Sequence, residues 1–87
     1  MHVKDLDEID RIIGRNMAFY RKREELTPRQ LGGMLGMTAR HIQECERGKS
    51  PLPASRLPIV CEVLGICLGQ LLGAEEPGSG GNSEALI

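Results

Sequence analysis

The segment Thr27–Gly48, TPRQLGGMLGMTARHIQECERG, decides the fold. Thr27 is a good helix cap. Pro28 suits the first helical position, where its missing N–H needs no partner, and Gln30 completes a capping box three residues after the cap. Leu31, Met34 and Leu35 recur at helical spacing and supply a buried face. Gly36 then ends the helix in the positive-φ conformation that closes many helix C-termini. Thr38 caps a further helix only two residues later, and Gly48 stops it. So short a link forces a steep crossing between the two helices.

On a wheel of about 100° per residue, the second of these helices divides into two sides. Ile42, Cys45 and Glu46 cluster on one; Arg40, Glu44 and Arg47 lie on the other, with Ala39, Gln43 and His41 on the flanks. The outer side is a set of hydrogen-bonding groups. An inward carboxylate on a small core needs a buried partner, and Arg21 near the end of the preceding helix is the candidate.

Outward from this segment, Asp7 reads as the cap of a first helix, with Ile9, Ile13, Met17 and Tyr20 as its apolar stripe and an end near Glu24–Glu25. Arg21, Lys22 and Arg23 fall in its last turn, where cations suit the dipole. On the other side, Lys49-Ser50-Pro51-Leu52-Pro53 reads as a loop. Ser55 is the expected cap of a fourth helix, with Pro58 in its first turn, a stripe of Leu57, Val60, Cys61 and Leu64, and a stop at Gly65. Cys67–Leu72 reads as a short fifth helix with Leu68, Leu71 and Leu72 apolar. The domain therefore runs over residues 7–72, with an N-terminal arm at 1–6 and a Gly-, Ser-, Glu- and Pro-rich tail at 73–87 expected to be disordered.

Eighty-seven residues make one domain, and 40% apolar content suffices for a globular core. One Phe, one Tyr and no Trp exclude an aromatic stacking platform for single strands. Cys45, Cys61 and Cys67 have no metal-site or disulfide spacing and read as reduced thiols of a cytoplasmic protein. Asp5, Asp7, Glu8 and Asp10 interrupt any signal-like run, and no membrane span is expected. The net charge of −1 hides an uneven distribution: residues 11–56 carry ten Lys/Arg against four Glu, flanked by acidic ends. A basic middle is a footprint for a polyanion.

At this point residues 13–72, about two-thirds of the chain, resemble the Cro/CI-type (lambda-repressor-like) helix-turn-helix family. The run LTPRQLGGMLGMTARHIQECERGKSPLPASRLPIVCEVLGICLGQLL is similar in its caps, glycines, apolar positions and ERGK, all in register. The resemblance implies an all-α domain of five helices, the second and third forming the unit that docks on DNA, with the third in the major groove. The base-reading positions then fall on Ala39, Arg40, Gln43 and Glu44. Arg40 suits guanine, Ala39 a thymine methyl, Glu44 a cytosine amine, and Gln43 adenine or a brace for Arg40. Phosphate contacts are implied for Thr27, Arg29 and Gln30 at one end, and for His41, Arg47, Lys49 and Ser50 at the other. An Arg21–Glu46 ion pair is implied as scaffold.

The expected function is a sequence-specific double-stranded DNA-binding transcriptional regulator, a repressor acting on a palindromic operator as a homodimer. Leu68, Leu71 and Leu72 are the expected dimer surface, and no cofactor, small-molecule ligand or metal is expected. Departures from the family pattern are Pro28, where a phosphate-touching Gln is common, Glu25, where glycine is common, and Gly32 and Gly33 inside the second helix. Gly32 and Gly33 imply either a soft helix or an unusually close approach. Blander readings stand beside these. Arg40 and Glu44 are also spaced for a solvent-exposed i,i+4 pair. His41 and Cys45 are four apart, as a metal pair with Cys61 or Cys67 as third ligand requires, but Cys45 points inward and His41 lies on the flank. The rival function is an antitoxin or protein-interaction module that also represses its own promoter. No constellation of catalytic groups indicates an enzyme.

Overall fold

The computed structural model describes residues 3–73, with side chains from Glu8 onward. It contains five α-helices: α1 (Val3–Arg23), α2 (Pro28–Leu35), α3 (Ala39–Glu46), α4 (Leu57–Leu64) and α5 (Leu68–Leu71). A 3₁₀ turn, Ala54–Arg56, leads directly into α4. The described residues form no strand, so the domain is all-α.

Local chemistry sets most of the helix ends. Thr27 Oγ1 accepts from the Gln30 amide at 3.0 Å, and Gln30 Oε1 accepts from the Thr27 amide at 2.8 Å. Gly36 closes α2 at φ +72°, and the Met37 amide donates back to the Gly32 carbonyl at 2.8 Å. Thr38 caps α3 by accepting from the His41 amide at 3.0 Å. Gly65 ends α4 at φ +68°.

Two boundaries differ from the sequence reading. First, α1 begins at Val3 rather than after Asp7, so residues 3–6 belong to the helix and not to an arm. Residues 3–7 contain neither Gly nor Pro, and acidic residues suit a helix's first turns. Second, Ser55 does not cap α4. Pro58 has no N–H to offer the Ala54 carbonyl, so that carbonyl takes the Leu57 amide in a tighter 3₁₀ turn. At the turn before Leu26, Glu25 itself adopts φ +59°, a conformation that costs a non-glycine residue about 1–2 kcal/mol. Of the expected tail, residues 74–87 lie outside the described residues.

The core is aliphatic around one tyrosine. Met17, Tyr20, Leu31, Ile42, Cys45, Val60, Leu64 and Leu71 are its fully buried side chains. Three burial expectations are corrected. Met34 is 52% exposed, because α2 turns its inner face toward Gly32. A Cβ on Gly32 would strike the Met37 carbonyl, so the close approach, not a soft helix, explains this glycine. Ile9 is exposed. Leu71 belongs to the core and not to a dimer surface: α5 docks onto α1 through it, and buried Asn16 donates to the Leu71 carbonyl at 3.0 Å. Leu68 and Leu72 are exposed.

Candidate nucleic-acid interface

The geometry of α3 follows from what holds its inner side. Ile42 and Cys45 are buried. Glu46 meets Arg21 in a two-pronged pair, Nε to Oε2 at 2.7 Å and Nη2 to Oε1 at 3.0 Å. The remaining Arg21 nitrogen, Nη1, donates to the Leu26 carbonyl at 2.7 Å. Arg21 thus ties the end of α1 both to α3 and to the turn that precedes α2. Gly14 lets α1 lie directly on the Cys45 carbonyl. These anchors hold α3 with Ile42, Cys45 and Glu46 turned inward.

That rotation sends Arg40 and Gln43 into solvent, and the Arg40 side chain is 87% exposed. Ala39 and His41 are half-buried beside them. Glu44 is more constrained. Its Oε2 lies 3.4 Å from Arg40 Nε, and its Oε1 accepts from Ser50 Oγ at 3.5 Å. Arg40 and Glu44 therefore do form the exposed i,i+4 contact, a weak one at this exposure.

The flanks are cationic. Arg29 at one end, and Arg47 and Lys49 at the other, are exposed, and Ser50 is half-buried against Glu44. At the α2 N-terminus the capping box already occupies the Thr27 and Gln30 amides and the Gln30 side-chain oxygen. The Leu31 amide takes the Thr27 carbonyl at 3.0 Å. With Pro28 lacking an N–H, the Arg29 amide is the backbone donor this end offers an anion, beside the Arg29 guanidinium, the Thr27 hydroxyl and the Gln30 side-chain NH₂. Arg56 is a cation that sequence reasoning missed. Its guanidinium reaches the turn between α2 and α3, with Nη2 3.7 Å from where a Gly36 Cβ would sit. Nothing local marks an arginine inside a proline-rich loop for that position.

The thiol of Cys45 is pushed up to about 11, first by burial and then by Glu44, Glu46 and Asp10. A thiol so disfavoured as thiolate is unreactive. We expect Cys45 to resist iodoacetamide at pH 8 in the folded protein and to react once the chain is denatured, as read by peptide mass spectrometry. Rapid modification of the folded protein contradicts the burial. Among the described residues, no group of three or more His, Cys, Asp or Glu is placed to hold a metal ion. No helix among them is long and apolar enough to cross a membrane.

No protein-family model matches the chain, and no curated protein matches it. Among solved structures, the fold is similar to that of the clp gene regulator ClgR from Corynebacterium glutamicum, with a TM-score of 0.70 and 23% sequence identity. The match covers 90% of this chain and 78% of that one. At that identity the likeness establishes the helical fold.

Proposed function

We propose that this chain is a sequence-specific double-stranded DNA-binding transcriptional regulator of the Cro/CI type, a cytoplasmic repressor that binds a palindromic operator as a homodimer. One observation carries the reading: α3 is locked on its inner side by Ile42, Cys45 and the Glu46–Arg21 pair, while Arg40 and Gln43 stand in solvent between exposed cations. Such a helix is shaped to enter a major groove, with Ala39, Arg40, Gln43 and Glu44 at base edges. Thr27, Arg29, Gln30, His41, Arg47, Lys49 and Ser50 then lie along the backbone, where contacts position the protein without reading sequence. That the fold is shared with a gene regulator supports the same reading.

A single recognition helix reads few base pairs, so useful affinity calls for two half-sites about 34 Å apart. Exposed Leu68 and Leu72 supply apolar contact for a second copy. Selection of bound duplexes from a random pool tests the whole proposal: the expected product is one symmetric site. In the same assay Arg40→Ala is expected to cost about 1–3 kcal/mol of discrimination at one base-pair position of each half-site. Lys49→Ala is expected to weaken all sequences alike. An Arg40→Ala protein with unchanged preference contradicts the assignment of the reading face.

A further inference from the structure

Arg56 has an environment that the fold alone does not explain. Its residue is half-buried at the entrance to α4. Its Nε is buried and has no hydrogen-bond partner. The ion pairs among the described residues are Arg21–Glu46 and Arg40–Glu44, so none of the described carboxylates neutralises Arg56. A guanidinium cannot relieve this by losing a proton, and an unpaired buried donor is costly. A Met or Leu at this position would cover the same apolar surface without that cost. Its location is equally specific. Nη2 lies against Gly36, two residues before the cap of α3. This unpaired cation therefore sits at the end of α3 that enters the groove under the reading above.

We propose that Arg56 is a phosphate clamp for duplex DNA: in the unbound protein it lies folded against the Gly36 turn, and on binding it turns outward to a backbone phosphodiester. The inference rests on the DNA-binding reading. It adds a contact from the α4 entrance to those from the α2 N-terminus and the α3 C-terminus. Binding through the Nε edge of the fork gives Nε and one terminal nitrogen an anionic acceptor, and so removes the penalty of the unbound state. The contact is blind to sequence and acts on specific and non-specific DNA alike.

The test is fluorescence anisotropy of the full chain on a mixed-sequence DNA duplex over a range of salt concentrations, with thermal unfolding of each variant alongside. Arg56→Met keeps the aliphatic stem and removes the charge. It is expected to bind about tenfold more weakly, to show a plot of log affinity against log salt shallower by about 0.9, and to unfold at the same temperature as the parent or higher. Arg56→Lys restores the charge and is expected to recover the parental slope. An unchanged slope in Arg56→Met overturns the clamp. So does a lower slope that Arg56→Lys fails to recover, since that marks a packing residue. If the unaltered protein shows no salt-dependent binding, the DNA-binding reading itself falls and the clamp with it.

Discussion

Gly14→Ala is expected to destabilise the protein by roughly 2–3 kcal/mol, a fall of about 10–20 °C in Tm for a domain this small. Gly14 sits where α1 lies on α3. A Cβ there would fall on the Cys45 carbonyl oxygen, 2.9 Å from the Cys45 carbonyl carbon and 3.1 Å from that of Glu46. These are backbone atoms inside a capped helix and cannot swing aside as a side-chain end could. The added methyl must lift α1 from α3, which loosens the packing over Ile42 and stretches the Arg21–Glu46 pair. Gly33→Ala is the control. Nothing lies within 4 Å of its Cβ position, and alanine in a helix interior gains about 0.5–1 kcal/mol over glycine. Urea and thermal unfolding of the two variants should move in opposite directions. A Gly14→Ala protein as stable as the parent shows that α1 and α3 are not in this contact.

The two glycines also mark the limit of what the sequence discloses. Helix ends are set by neighbours within four residues, so Thr27 with Gln30, Gly36, Thr38 and Gly65 can be read directly from the chain. Burial is set by whichever element lands on a face, and a wheel knows nothing of that. Met34 has the spacing of a core residue, yet α2 presents Gly32 instead; Leu71 looks like interface, yet α5 inserts it into the core. Ser55 looks like a cap, and the missing N–H of Pro58 moves the helix start beyond it. At the candidate site, the outward side of α3 can be read because polar and apolar residues alternate with the helical period. The Glu44–Ser50 contact and the reach of Arg56 to Gly36 cannot, because each depends on a loop path that no local pattern encodes.

Glu46→Ala is expected to have a larger effect than Gly14→Ala, a loss of about 3–5 kcal/mol. Both side chains of the Arg21–Glu46 pair are only 9% exposed. Removing the carboxylate strands a permanently charged guanidinium with the Leu26 carbonyl as its remaining acceptor. In a domain with a typical stability of about 5–15 kcal/mol, that loss is a large share of the whole. The double variant Arg21→Met/Glu46→Leu separates two roles. Well-packed apolar replacements often match or exceed a buried ion pair in stability, so the double variant is expected to recover most of the loss in urea unfolding. Its DNA binding is expected to stay weaker than the parent's. The two-pronged bond at 2.7 and 3.0 Å fixes how α3 is rotated against α1, whereas apolar contact between two flexible side chains is non-directional. Recovery of stability without recovery of affinity assigns the pair to orienting the reading helix. If Glu46→Ala costs under about 1 kcal/mol, the pair is energetically equivalent to an exposed one, and α3 must owe its rotation to Ile42, Cys45 and the Gly14 crossing alone.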